Sequence, residues 1–427
     1  MRIAILGYGK EGKSAESYFQ NQHHDTKIFD NFTPEIIAKD DFSSFDLVLR
    51  SPSLKPHNGW SSMTAYFFEH CPCPIIGITG TKGKGTTCSI ITAILKSLGK
   101  TVWLVGNIGN PALDVLDKIQ PSDIVVYEMS SFQLWDLEKS PHIAVILGIE
   151  PDHLNIHKDY ADYVAAKSNI AKHQTTQDFC IYNQNNSDST NIAKQSNGNK
   201  IPYPKKDNRQ TLDKILDALN IPGQHNRENA EAALCAVAAY FNLELEDLLT
   251  QKYDAIYAAL QNFEGLPHRL QFLRELNTVK YYDDNFCTNA ASLEVALKAF
   301  PDAKIVLIAG GRDKTANQDL PEIINLMQKY TTKTILMGES GHEIAQILTH
   351  SNIQVITAGS AGDNNHFFLA ESLKSAVALS KQLAEDLSKN NPEHHVVVLM
   401  SPAAASFDMF ENVYDRGAQF QKIVRQL

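Results

Sequence analysis

The stretch at residues 76–88 reads IGITGTKGKGTTC. A short apolar run, PIIGI, enters a glycine-rich turn, and a helix-forming run, TTCSIITAILKSLG, leaves it. Backbone N–H groups in such a turn, at the N-terminus of a helix, point at anions, and the helix dipole adds to their field. Gly80 and Gly83 allow the tight turn, and Lys84 brings a point charge suited to the β- and γ-phosphates of a nucleotide. The strict phosphate-loop pattern G-x-x-x-x-G-K-S/T fails at two places, Ile78 and Gly85. A hydroxyl for a metal follows at once, in Thr86 or Thr87. The alternative is a glycine-rich turn with no ligand.

On either side of this loop the chain alternates apolar runs with helical patterns, the mark of α/β architecture. Before it, IAILGY, TKIFD and FDLVLRSPS read as strands and GKSAESYFQNQ as a helix, a unit of 1–73 closed by the prolines of CPCP. After it, TVWLVG, DIVVYEMS and IAVILGI read as strands, and HNRENAEAALCAVAAYF as a helix, within a unit of 74–264. The polar stretch NQNNSDSTNIAKQSNGNKIPYPKKDN inside that unit reads as exposed loops and short strands. From Gly265 a third unit, 265–427, alternates VKYYDD, KIVLIAGG, KTILMG, IQVITAG and HHVVVLMSPA with helices around ASLEVALKAF, LPEIINLMQKY and FFLAESLKSAVALSKQLAED. The fold expected is therefore three consecutive α/β domains, with a phosphate loop in the middle one and Rossmann-like units at both ends.

Composition narrows the function classes. The 427 residues carry a net charge of -10, a mean hydropathy of -0.25 and a hydrophobic fraction of 43%, as an ordinary globular enzyme does. The acidic balance argues against nucleic acid as partner. No apolar run approaches the roughly 20 residues of a membrane span. MRIAILGYGK reads as a first strand rather than a leader peptide, which gives a cytoplasmic expectation. Six scattered cysteines read as reduced thiols, and only Cys71 and Cys73 stand close.

Two further patterns carry chemistry. GYGKEG at 7–12 fits G-x-G-x-x-G, and Asp30 supplies the acidic residue about 20 positions on that a dinucleotide site uses. A unit of about 70 residues is short for a whole dinucleotide fold. Glu128 closes the strand DIVVYE and His153 follows IAVILGIE, so both stand where a crevice carboxylate and imidazole would, although such residues are often merely solvated.

The loop GTKGKGTT resembles that of the Mur ligase family, usually G-T-x-G-K-S/T, and its extra glycine resembles the folylpolyglutamate synthase branch, G-T-N-G-K-G-S. VGNIGNPAL at 105–113, YEMSSFQL at 127–134, EPDHLNIHKDYADYVAAKSNI at 150–170 and GQHNRENAEAAL at 223–234 resemble successive motifs of the branch that joins D-glutamate to UDP-N-acetylmuramoyl-L-alanine. GLPHR at 265–269, DDNFCTN at 283–289, AGGRDK at 309–314 and SPAAASFDMF at 401–410 continue the series in order. The resemblance implies an ATP-dependent amide ligase of peptidoglycan precursor synthesis that is cytoplasmic and monomeric, working through an acyl phosphate with two Mg2+ ions.

It also implies residue roles. Gly80, Thr81, Lys82, Gly83, Lys84, Gly85, Thr86 and Thr87, with Asn226, Asn229, Arg269 and Asp284, meet ATP. Thr86, Glu128, His153 and a carbamylated Lys167 hold metal, and Lys84, Glu128, His153 and Lys167 serve catalysis. Gly9, Lys10, Glu11, Asp30, Asn31, Ser51, Asn107, Ser130 and Gln133 meet the UDP substrate. Thr288, Lys314 and Ser406 meet the amino acid. The pattern departs in the acceptor motif: Phe286 stands where the family has lysine, and Val413 where it has phenylalanine. A dicarboxylic acceptor needs two anion-binding places, and Arg312 is the candidate replacement cation. Three alternatives remain: a folylpolyglutamate-synthase-like ligase or one with another acceptor, a nucleotide-gated binding protein, and a nicotinamide-dependent oxidoreductase. The glycine-rich unit ahead of the loop disfavours the folate branch.

Overall fold

The computed structural model describes residues 1–30, 42–312, 319–357, 366–390 and 393–427. Asn31 and Lys314 lie outside the described residues. The chain divides into two compact units, Met1–Leu219 with His225–Phe263 and Asn220–Gln224 with Glu264–Leu427.

The first unit holds two sheets. One is built from β1 (Arg2–Leu6), β2 (Asp25–Phe29), β3 (Leu47–Arg50) and β4 (Ser61–Ser62) in the order β2-β1-β3-β4, all parallel. The other contains β5 (Ile75–Thr79), β6 (Val102–Gly106), β7 (Ile124–Glu128), β8 (Ile143–Ile146), β9 (Phe179–Asn183) and β10 (Asn199–Tyr203). Its order is β10-β9-β8-β5-β7-β6, again all parallel. Parallel strands covered on both faces read as unbroken apolar runs, and β5, β7 and β8 are buried along their whole length. β5 is first in its sheet's sequence yet lies between β7 and β8, so the strand order reverses around it. Open α/β sheets bind ligands at such a reversal, beyond the carboxyl ends of the strands. The glycine-rich loop leaves β5 at that point.

The second unit holds one sheet: β11 (Gln271–Leu276), β12 (Val279–Asp283), β13 (Ala303–Ala309), β14 (Lys333–Leu336), β15 (Val355–Thr357), β16 (Phe367–Leu369) and β17 (His395–Met400). The order is β11-β12-β17-β13-β14-β16-β15. Only β11 runs antiparallel, turning into β12 at Asn277–Thr278. The fold is thus α/β throughout, with three sheets in series. No helix among the described residues is long and apolar enough to cross a membrane.

Two local expectations need correction. The polar stretch after β9 is not only loops and short strands, because Ser187–Ala193 forms a helix before β10 adds to the sheet edge. Asn186 caps that helix, its side chain accepting from the Ser189 N–H at 2.9 Å, and Ser189, Ile192 and Ala193 turn inward. Polar composition concealed one buried face. FFLAESL, read as the start of a helix, instead supplies β16, and the helix begins at Leu373. Two adjacent phenylalanines suit a buried strand better than a helix start.

Asn186 also donates to the Ile149 carbonyl at 3.0 Å, which ties the helix to the loop after β8. Replacing Asn186 by Ala should lower the unfolding free energy by about 1–2 kcal/mol. Denaturant titration should show a lower midpoint with an unchanged slope. An unmoved midpoint would show that the cap contributes nothing.

Candidate functional site

The turn after β5 is shaped by two glycines with left-handed backbone, Gly80 (φ +155°) and Gly83 (φ +84°). Gly83 is the N-cap of the helix Lys84–Ser97, and no side chain caps that end. A Cβ on Gly83 would stand 2.4 Å from the Asn229 Oδ1, so the helix Gln224–Tyr240 approaches the loop as closely as glycine permits. Asn226 and Asn229 are both buried there, 3.4 Å apart from amide nitrogen to amide oxygen. Lys82 is exposed, and Gly85 and Thr86 are half-buried on the first helical turn. Thr87 is fully buried, and its hydroxyl has no partner in the structure.

Two lysines converge on this loop. Lys84 Nζ donates to the carbonyls of Gly80 and Thr81 at 3.0 and 2.9 Å. Lys167 Nζ, from the helix Tyr160–Lys172, donates to the same Gly80 carbonyl at 2.9 Å and to Thr79 Oγ1 at 3.4 Å. Burial, and then the charge on Lys84, push Lys167 well below the ordinary lysine range. Tyr163, one turn earlier, places its ring 4.7 Å from the Lys167 ammonium and its hydroxyl 3.0 Å from Thr81 Oγ1. Sequence reasoning missed Tyr163, although its spacing of four from Lys167 marks one helix face.

At the next strand end, Glu128 is buried and accepts from the Asn107 side-chain amide at 3.1 Å. His153 is exposed, with a left-handed backbone (φ +54°) and its Nε2 3.5 Å from Asp152 Oδ2. Among the described residues no three His, Cys, Asp or Glu side chains gather around one point. The Glu128 carboxylate and, on the first helical turn, the Thr86 hydroxyl and the partnerless Thr87 hydroxyl are oxygen donors of the kind a hard cation prefers.

The substrate candidates of the first sheet are drawn together with the second. Gly9 and Lys10 stand exposed at the start of the helix Lys10–Asn21. Asp30 accepts from the Tyr8 N–H at 3.2 Å, and Ser51 lies buried with its hydroxyl 2.7 Å from Ser53 Oγ. Ser130 and Gln133 form a reciprocal capping box on the turn Ser131–Leu134, and Gln133 then donates to Glu11 Oε1 at 2.8 Å. Glu11 Oε2 is enclosed without a partner, and burial pushes the carboxyl up to about 7. Arg50, unremarked in the sequence, is fully buried and pairs with Asp136 from beside the same turn.

In the second unit the candidates occupy strand ends of one sheet. Asp284 follows β12, is buried, and accepts from Ser401 Oγ at 2.8 Å and the Leu270 N–H at 3.2 Å. Burial pushes it up to about 7, with the neighbouring Asp283 adding to the rise. Arg269 is exposed between two residues with left-handed backbone, His268 (φ +62°) and Leu270 (φ +44°). Such a conformation costs roughly 1–3 kcal/mol at each non-glycine residue and persists only where the surroundings over-determine it. Thr288 is half-buried, and Ser406 is buried with a partnerless hydroxyl. The Arg312 side chain lies 3.8 Å from the Glu339 carboxylate. The organiser of these ends is Arg416, also missed in the sequence. Its fully buried guanidinium donates to the carbonyls of Ala404 (3.0 Å), Ala405 (3.2 Å), Asn285 (3.2 Å) and Gly310 (3.5 Å).

Comparison with known proteins places these features in context. The family model for the Mur ligase middle domain matches residues 78–237. The UDP-N-acetylmuramoylalanine–D-glutamate ligase of Clostridium tetani is 32% identical, covering 100% of this chain and 97% of its own. That of Streptococcus thermophilus is 33% identical, over 90% of this chain and 84% of its own. Among solved structures, the UDP-N-acetylmuramate-alanine ligase of Thermotoga maritima superposes with a TM-score of 0.59 at 16% identity, over 100% of this chain and 99% of its own. The folylpolyglutamate synthase of Mycobacterium tuberculosis gives 0.55 at 14% identity, over 82% of this chain and 91% of its own. At those identities the structures share the fold alone.

The enclosed Glu11 makes stability depend on pH. Its folded-state proton affinity exceeds the ordinary one, so the cost of holding it charged is absent below pH 4.5 and complete above about pH 7. Glu11→Gln should therefore be more stable than the parent above pH 7, by up to about 3 kcal/mol. The difference should vanish below pH 4.5. Unfolding curves across that range check it, and a pH-independent difference would refute it.

Proposed function

The chain belongs to the UDP-N-acetylmuramoylalanine–D-glutamate ligase family of Mur ligases, and from that premise we propose that it joins D-glutamate to UDP-N-acetylmuramoyl-L-alanine at the expense of ATP. The observation that carries the reading is the convergence on one phosphate-type loop of Lys84, Lys167 and Asn229, with Glu128 and Asn107 at the adjacent strand end.

The chemistry follows from these groups. The loop N–H groups and Lys84 hold the ATP phosphates, and the amides of Asn226 and Asn229 suit a purine edge. The substrate carboxylate attacks the γ-phosphorus, releasing ADP and forming an acyl phosphate. The D-glutamate amine attacks the acyl carbon; the tetrahedral intermediate expels phosphate, and the amine proton leaves to solvent. Mg2+ held by Thr86, Glu128, His153 and carbamylated Lys167 would screen the two anionic reactants from one another. Residues 1–73, with Asn107, Ser130 and Gln133, would hold the UDP substrate. Residues 74–264 would bind ATP, and 265–427 the amino acid through Thr288, Lys314 and Ser406. Arg269 and Asp284 would serve the nucleotide. The reaction is set in the cytoplasm.

Carbamylation of Lys167 has a physical rationale. Only a neutral amine adds CO2, giving a carbamate and a proton, and burial beside Lys84 favours the neutral form. The product is an anion, which the charge on Lys84 attracts. Lys167→Ala should lower turnover by at least about 10–100-fold, with partial recovery on adding short carboxylic acids. Full activity in the alanine variant would refute the role.

The assignment itself is tested by phosphate release with ATP, Mg2+ and UDP-N-acetylmuramoyl-L-alanine across D- and L-amino acids. Stimulation by D-glutamate alone is the expected result. Stimulation by another amino acid would keep the ligase and replace the acceptor. Stimulation by none would overturn the reading.

A further inference from the structure

The acceptor motif departs from its family at Phe286, and the structure gives that ring a neighbour. The Arg269 guanidinium lies over it, 5.6 Å from the ring centroid, inside the range at which a cation is drawn to an aromatic face. Tyr414 meets the same ring edge-to-face at 5.4 Å, and His268 is tilted against it at 5.8 Å. Tyr414 is 64% exposed and Phe286 half-buried, so this aromatic group faces solvent rather than filling the core.

The backbone under it is fixed from several sides. His268 Nδ1 lies 2.7 Å from Asp283 Oδ2. The N–H groups of Arg269 and Phe286 donate to the carbonyls of Leu266 and His268, at 3.1 and 3.2 Å. The Leu270 N–H donates to Asp284. Arg269 is thus the exposed residue of a strained, pinned turn, and its long side chain is the part left to be oriented. A lysine at 286 would set a second cation against Arg269, and like charges repel; an aromatic ring attracts instead.

We propose that Phe286 is a positioning residue whose ring holds the Arg269 guanidinium in the orientation in which it serves the nucleotide. This rests on the reading of Arg269 as a nucleotide contact. Its contact with Arg269 is the one the proposal turns on, and Tyr414 and His268 hold the ring itself in place. An exposed cation–π pair corresponds to about a two- to five-fold change in affinity.

The test is a double-mutant cycle on the full chain. Phe286→Leu keeps apolar bulk without the aromatic face, and should raise KM for ATP by about two- to five-fold. Phe286→Tyr should restore the parental KM. In an Arg269→Ala background, Phe286→Leu should add nothing. The proposal is overturned if Arg269→Ala raises KM while Phe286→Leu does not, or if Phe286→Leu has the same effect in both backgrounds. If Arg269→Ala leaves KM for ATP unchanged, the nucleotide reading of Arg269 itself fails.

Discussion

Much of the first unit turns on one carbonyl, that of Gly80, which accepts from the amino groups of two lysines. Holding two like charges at one oxygen is costly unless something offsets it. The left-handed glycine backbone exposes the carbonyl, the Tyr163 ring offers its face to Lys167, and the Lys167 side chain gives up proton affinity. The loop is therefore not an isolated cradle. It is joined through Lys167 to the helix Tyr160–Lys172 and through Asn229 to the helix Gln224–Tyr240. A nucleotide bound there, as proposed, would meet side chains already fixed, which lowers the entropy lost on binding.

The second unit solves a related problem with opposite means. Arg416 is buried against carbonyl dipoles rather than carboxylates, and burial brings its proton affinity down to about 10. Five N–H donors in a rigid fork let one side chain bind the ends of β12, β13 and the segment after β17. The same strand ends carry Asp284, Arg312 and Ser406. Their placement depends on a residue that need not touch any ligand.

The strands were legible because parallel, doubly covered strands are written as apolar runs, and PIIGIT, DIVVYE and KIVLIA each became one. The loop was legible because its glycines and lysine sit in one short window. Gly83 reveals why glycine is needed only in three dimensions, where Asn229 fills the space a Cβ would take. The helix Ser187–Ala193 was hidden because its buried face is small and partly polar. Arg416 was hidden because nothing local in YDRGAQFQ signals the carbonyls waiting from distant strands. Contacts far apart in sequence are set by tertiary packing, which no window of residues encodes.

The position of β17 has a consequence for how the second unit forms. It lies between β12 and β13, pairing Val396 with Val279 and His395 with Ala303. The centre of the sheet is thus completed by a strand far downstream of both neighbours. Until it arrives, β12 and β13 present open edges, and closing such long loops is slow. Chains interrupted before residue 395 would hold two unpaired apolar edges, the form of β-structure most prone to join with other chains.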